Sequence, residues 1–472
     1  VTAGLSISSS PVVGGTARSR GAWAIYLGMI VVTLDGSALN LALPTIGSDL
    51  GATASGLEWV VNAYTLPLAS LLLVAGTIGD RTGARTLFVA SAGGFGLASV
   101  ACALAPTLPL LITFRAIQGV FAAGLLPMVL ALVVKTITDP AEQAKAVNLV
   151  AVSGGIAIAA GPLLGGLLTD SIGWRAAFWL TVAPIAAAVL LILRTPETSR
   201  GERRRIDLPG QLAGTLALTA LIAGMVEAAS VGWTAPIVLA LLASGVIGIA
   251  VFIRIEHRAS EPMVPLGLFR NRAFSAASLG GFAFQFSAYG LQFVLALYLQ
   301  QRWDLTALQA GLVLIPFSLG SILAAVGLNP RLLHRGPRFM LLAGTPLVIV
   351  GALITLGTAD TGTWRWLIVG NALVGIGTGI YSPSLNQVAT ASAGTARAGL
   401  ASGVYNTSRQ IGQATGIALL GSLIALPDST SGVRVGLAIC ALLGALILVL
   451  TVVYAPRAQN TTKPSSPVSC EP

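Results

Sequence analysis

Long apolar runs separated by short charged or glycine-containing segments dominate the chain. An α-helix needs about 20 consecutive apolar residues to cross the hydrocarbon of a bilayer. By that rule fourteen spans are predicted, at 22–46, 58–79, 86–105, 109–134, 146–169, 176–194, 208–229, 235–253, 273–299, 308–328, 339–357, 364–389, 399–425 and 433–455. The pattern predicts an all-α integral membrane protein, with two six-helix bundles and two extra helices between them. The expected divisions are an N-terminal tail (1–21), a first half (22–195), a basic linker with the two extra helices (196–258), a second half (259–456) and a C-terminal tail (457–472).

Composition agrees. Charged residues make up 9% of the 472 and apolar ones 55%, with a mean hydropathy of +0.85; a soluble domain carries about 25% charged residues. That leaves no room for a sizeable water-facing catalytic domain. No cleavable signal peptide is expected, because residues 1–21 are polar and the first apolar run is long enough to remain as a span.

The charges also fix a direction. If the N-terminus is cytoplasmic, Arg175, Arg302, Arg365 and Arg434 are the basic residues of the outer loops, and Arg115 and Arg409 fall inside spans. All the others of the 27, including the run RGERRR at 200–205, lie on the inner side. Cytoplasmic loops of membrane proteins carry this excess, so both termini are expected inside. The net charge of +10 then reflects topology, and nucleic acid is not expected as a partner.

The two halves are weakly repeated. LITFRAIQGVFAAGLLP (111–127) aligns with LIVGNALVGIGTGIYSP (367–383), placing Gly119 over Gly375 and Pro127 over Pro383; Gly83 and Arg85 fall on Gly336 and Arg338. Homologous halves suit a transporter that rocks one half against the other.

Ionisable residues within spans are functional hypotheses by default. Asp35 lies inside the apolar run IVVTLDGSALNLALPTI (30–46), about 20 Å along its helix at 1.5 Å per residue. A carboxylate there can take a proton from one side and release it to the other. Its structural alternative is a carboxylate bonded to a neighbour such as Asn40. Arg115 and Gln118, in the fourth span, are candidate coupling partners. Glu58 and Glu227 are expected in interfacial water. The ninth span, GFAFQFSAYGLQFVLALY (281–298), carries Phe282, Phe286, Tyr289 and Phe293 at helical spacing and adds Gln285 and Gln292. An aromatic wall with a few amides suits a large, flat ligand, and a substrate cavity is expected there. Asn40, Asn62, Tyr64, Asn371, Tyr381, Asn406 and Arg409 are further candidate lining residues. No nucleotide-binding loop or metal-ligand cluster is found, His257 and His334 are the two histidines, and Cys102, Cys440 and Cys470 have no pairing pattern. No metal, cofactor or enzymatic activity is expected.

Several stretches carry a family resemblance. GTIGDRTGARTLF (76–88) resembles the cytoplasmic loop signature of the major facilitator superfamily, with Gly76, Asp80, Arg81, Gly83 and Arg85 in place. FRAIQGVFAAG (114–124) is similar to its fourth-helix element. GIAIAAGPLLGG (155–166) resembles the element typical of exporters, through Gly161, Pro162, Gly165 and Gly166. LDGSALNLALP (34–44) and GWRAAFWLTVAP (173–184) resemble motifs of the fourteen-helix drug:proton antiporter family, with Thr181 standing where asparagine is usual. The resemblance implies a proton-coupled antiporter that exports drugs or a self-made antibiotic from a bacterial cytoplasmic membrane by alternating access. Asp35, Arg115 and Gln118 would couple the proton, and the Gly76–Arg85 loop would latch the two halves. Its partners would be protons, the lipid bilayer and lipophilic small molecules, cations among them, with the monomer as the working unit. A proton symporter for a small nutrient on the same fold is the alternative.

Overall fold

The computed structural model describes residues 15–137, 139–195, 197–198, 207–358, 364–394, 397–424 and 429–454. The basic run at 200–205 and the expected C-terminal tail lie outside them. Among the described residues there are fourteen long helices: α1 (Gly15–Leu50), α2 (Ala54–Thr82), α3 (Ala84–Ala103), α4 (Leu108–Thr136), α5 (Pro140–Ile172), α6 (Arg175–Ile192), α7 (Leu208–Val231), α8 (Pro236–Arg258), α9 (Arg272–Arg302), α10 (Ala307–Leu332), α11 (Gly336–Thr358), α12 (Trp364–Ser392), α13 (Ala398–Ile424) and α14 (Ser429–Tyr454). The first helix starts at Gly15, ahead of the expected start at 22, because nothing in TARSRG breaks a helix. Within α10 the chain widens into a π turn at Ala324–Leu328, after Pro316.

Twelve of these helices are long and apolar enough to cross a membrane by composition alone. The other two, α12 and α13, are 29 and 27 residues long but rich in glycine, serine, threonine and amides. Their polar groups are largely turned inward: Asn371, Thr378, Ser384 and Gln413 are buried. A helix that satisfies its polar residues against protein needs less hydropathy than one bathed in lipid. The opposite extreme is α8, whose Val246, Ile247, Val251 and Ile253 are all exposed, as a lipid-facing helix requires.

Local signals set the helix ends. Thr53 accepts from Gly56 N at the start of α2. Gly83, at φ 100°, makes the reversal between α2 and α3, a backbone conformation that a side chain would strain. Asn271 caps α9 by accepting from Ala273 N at 2.9 Å, and its own amide donates to Ser392 O at the end of α12.

Two compact units emerge. The first comprises the described residues up to Leu216 together with Leu305–Gly311; the second comprises Ala217–Asp304 and the described residues from Leu312 onward. The limits differ from the expected 195 and 259, for identifiable reasons. Gln211 Nε2 donates to Ser70 O at 2.9 Å, so the start of α7 joins the first unit. Asp170 accepts from Ala307 N at 3.1 Å and Leu308 N at 2.9 Å, which draws the first turn of α10 there too. The core of the first unit packs Ile25, Val31, Phe88, Phe95, Met128 and Ile185 from α1, α3, α4 and α6. In the second unit, α7 and α8 pack at Gly224, Gly245 and Gly248, where an added Cβ would meet Leu242, Leu221 and Ala217.

Candidate functional site

The interior of the first unit holds an ion pair. Arg115 is fully buried and Asp35 is 3% exposed. Arg115 Nη1 donates to Asp35 Oδ2 at 2.6 Å and to Gln118 Oε1 at 2.6 Å, while Nε donates to Val60 O at 3.1 Å. Gln118 Nε2 donates to Asp35 Oδ1 at 3.0 Å and to Ser99 Oγ at 2.7 Å. Ser99 in turn bonds Thr181 Oγ1 at 2.9 Å. The guanidinium carbon lies 4.4 Å from the Tyr64 ring centroid and 5.8 Å from that of Phe178. The network draws on α1, α2, α3, α4 and α6. Arg115 and Gln118 meet one partner because residues three apart share a helix face.

Asp35, Arg115 and Gln118 are therefore brought together. Asn40 is buried with its Oδ1 unbonded and does not reach Asp35. Both oxygens of Asp35 are engaged by Arg115 and Gln118. Tyr64, expected to line a cavity, presents its ring face to Arg115. Glu58, expected in water, is buried at 1%; Glu227 is half-buried.

The glycine-proline element lies against this network. An added Cβ at Gly161 would run into Ser37, and one at Gly165 into the backbone of Ala38 at 2.5 Å, two and three residues beyond Asp35. Ser37 Oγ also donates to Ala157 O at 3.3 Å. Gly166 faces the backbone of Ala307, and Gly311 faces Pro162 O. Helices approach this closely only where side chains are absent, so the element sets the fit of α5 on α1 and on the start of α10.

The Gly76–Arg85 loop was expected to latch one half to the other. Within the first unit it makes the following bonds. Asp80 pairs with Lys135 at the end of α4, 3.2 Å away. Arg85 Nε donates to Ile192 O at 3.1 Å and Nη2 to Leu193 O at 2.6 Å, satisfying carbonyls left open at the end of α6. A Cβ at Gly83 would strike Glu197. Gly76 and Arg81 are half-buried. The long Arg85 and Lys135 side chains reach across from one helix end to the next.

Partial burial pushes the Glu197 carboxyl up, but hydrogen bonds from Thr86 and from Thr198 N and Oγ1 outweigh it and hold the group below the usual carboxylate range. A lowered folded-state value stabilises above the ordinary pKa of about 4.3 and is lost as pH falls through the lower value. Glu197→Gln should thus lower the melting temperature of purified protein at pH 7, with the difference closing towards pH 3. The side chain is 35% exposed, so the effect should stay below about 1 kcal/mol. A difference that widened on acidification would contradict this account.

In the second unit the ninth-helix stripe splits. Gln285, Phe286 and Phe293 are buried, while Phe282, Tyr289 and Gln292 are half-buried. The Phe282 and Phe286 backbones pack on Gly412 and Gly416 of α13. Asn62, Asn371 and Tyr381 are buried, and Asn406 and Arg409 are half-buried.

Four functional candidates escaped the sequence. Ser99, Thr181 and the Val60 carbonyl extend the Asp35 network, yet isolated hydroxyls and a backbone oxygen carry no pattern. Thr181 had one available signal, its place at an asparagine position of a resembled motif. At the end of the unit opposite the Gly83 turn, Asp49 accepts from Trp174 Nε1 at 2.9 Å and Arg175 Nη1 at 2.7 Å, which gives the Trp-Arg motif a structural role.

Helices long and apolar enough to cross a membrane, with a buried acid–base pair in the first unit, fit a membrane transporter. The model of the Major Facilitator Superfamily matches residues 25–417, and the chain belongs to that family, among its drug-efflux transporters. The methylenomycin A resistance protein of Streptomyces coelicolor is 35% identical over 406 residues, covering 85% of this chain and 84% of the relative. The puromycin resistance protein of Streptomyces alboniger is 36% identical over 413 residues, covering 86% and 82%. The multidrug resistance protein Stp of Mycobacterium tuberculosis is 33% identical, covering 85% and 75%. Among solved structures, the human organic anion transporter MFSD10 superposes with a TM-score of 0.64 at 18% identity, covering 94% of this chain and all of the other. An auto-inhibited peptide transporter of the POT family gives 0.65 at 14%, covering 95% and 99%. Those structural likenesses speak for the fold alone. The chain is thus a multi-pass membrane transporter and not an enzyme.

Proposed function

We propose that the protein is a proton-coupled antiporter that exports an antibiotic or antibiotic-like small molecule across the bacterial cytoplasmic membrane by alternating access, with both termini inside. The observation that carries this reading is the buried Asp35–Arg115 pair bridged by Gln118. Protonation of Asp35 removes the anion facing Arg115 and changes the interior by one full charge. Leaving one partner of a buried ion pair uncompensated costs about 3–5 kcal/mol. The protonated and deprotonated forms therefore favour different arrangements of the surrounding helices, and an equilibrium between arrangements shifts by as much as the two forms differ. The glycine-lined contact of α5 on α1, beside Asp35, is where such a change is transmitted. The names of the methylenomycin A, puromycin and Stp relatives, each a resistance protein, support export; the skew of arginines to one side supports the orientation.

The test is resistance and exchange. The full chain, expressed in a pump-deficient host, should raise resistance to at least one of methylenomycin A and puromycin. In everted vesicles the same compound should be taken up against its gradient and should release protons from the lumen. Transport with no accompanying proton movement would remove the antiport reading, and proton-driven accumulation in intact cells would favour the symporter.

A further inference from the structure

Helices α9 to α14 of the second unit carry a half-buried arginine and no carboxylate. Beyond residue 261 the carboxylates are Asp304, Asp360, Asp428 and Glu471, and none falls within α9 to α14. Arg409 lies near the middle of α13. Its Nη1 donates to Asn406 Oδ1 at 3.3 Å and its Nη2 to Gln285 Oε1 at 3.4 Å, and Nε has no hydrogen-bond partner. These bonds are long for a guanidinium, and both acceptors are neutral. Arg115, in contrast, holds a carboxylate at 2.6 Å. In the repeat, the position of Arg115 is taken by Asn371, which is buried with both amide atoms unbonded, so the second half has not kept the first half's pair.

The surroundings of Arg409 are arranged for a guest. Gln285 Nε2 donates to Gln413 Oε1 at 3.3 Å, which directs the Gln285 carbonyl to the arginine. The guanidinium carbon lies 5.6 Å from the Phe284 ring centroid and 5.9 Å from that of Tyr405. Tyr405 is fully buried, and its hydroxyl has no partner. Gly281 lets α9 lie directly against these side chains: a Cβ there would meet the Tyr405 ring at 2.6 Å and Arg409 Cγ at 3.1 Å. A guanidinium has five N–H donors in a planar fork suited to a carboxylate. Here, within a membrane helix, the buried Nε is unbonded and no carboxylate is among the described partners of the charge.

We propose that Arg409 is the substrate-recognition residue of the second unit and that the exported molecule carries a carboxylate or similar planar oxyanion, paired with this guanidinium and flanked by the Phe284 and Tyr405 rings. The inference rests on the export reading and names the substrate class for it, replacing the expectation of lipophilic cations. A structural arginine joining α9 to α13 would behave differently, because it needs only a charge and a donor, whatever the cargo.

The test uses energised everted vesicles containing the full chain, with carboxyfluorescein and fusidate as anionic probes and tetraphenylphosphonium and ethidium as cationic ones. Wild-type protein should accumulate the anionic probes. Arg409→Gln should lose at least ten-fold of that uptake, while Arg409→Lys, which keeps the charge but not the fork, should retain it with a raised KM. Should Arg409→Gln fail to fold, the KM of Arg409→Lys decides, and an unchanged KM overturns the proposal. It is also overturned if only cationic probes accumulate, or if Arg409→Gln carries the anionic ones at the wild-type rate. If no probe accumulates but an antibiotic is exported, an exported compound without an acidic group overturns the proposal; one with such a group, whose export Arg409→Gln abolishes, upholds it. If nothing at all is exported, the export reading itself fails and this one falls with it.

Discussion

Replacing Asp35 with asparagine is expected to abolish proton-coupled export, by at least a hundred-fold in exchange rate, while the protein still inserts in the membrane. Asparagine keeps the size of the side chain and can still accept from Arg115 Nη1, but it neither binds nor releases a proton in the working pH range. It also leaves Arg115, fully buried, without its anion. Losing one member of a buried pair costs about 3–5 kcal/mol, so the variant should also melt earlier. The double variant Asp35→Asn, Arg115→Gln separates the two effects. It removes both charges, so it should regain part of the stability and none of the transport, the non-additivity expected of residues in contact. The checks are proton release on substrate addition to everted vesicles and the melting temperature of purified protein. Wild-type exchange in Asp35→Asn would show that the proton travels elsewhere.

Gly161→Val should cripple export by ten-fold or more through a different route. The added side chain has no space against Ser37 and Ala38 N, and overpacking of this kind typically costs about 1–3 kcal/mol. The displacement falls two residues from Asp35, where α5 and α1 must stay in register for protonation to be felt. Gly93→Ala in α3, where nothing lies within 4 Å of the new Cβ, is the control and should leave both transport and stability near wild type. Vesicle uptake and thermal unfolding of the two variants decide the matter; equal transport in both would separate the glycine element from the cycle.

Much of the architecture was legible along the chain because a bilayer imposes one dominant constraint, a length of apolar helix. Fourteen runs gave fourteen helices, including α12 and α13, whose hydropathy is modest. Asp35 and Arg115 were legible for the same reason, since a charge inside such a run stands out. Their bonding was less so. Arg115 and Gln118 are close in sequence, but Asp35, Ser99, Thr181 and Val60 belong to four other helices, and no periodicity links them. The Gly76–Arg85 loop shows the same limit. Its residues stand out along the chain, but no spacing announces that Asp80 meets Lys135 or that Arg85 meets Ile192, Leu193 and Glu197.

What the sequence by itself determined was the solvent of each segment: which stretches cross lipid, which charges cannot be exposed there, and which positions must be glycine. These follow from transfer free energies and backbone geometry, properties of single residues and their near neighbours. What only the tertiary structure decided was pairing. It joined Asp35 to Arg115 and left Arg409 with amides alone, because a hydrogen bond depends on ångström distances between helices that lie far apart along the chain.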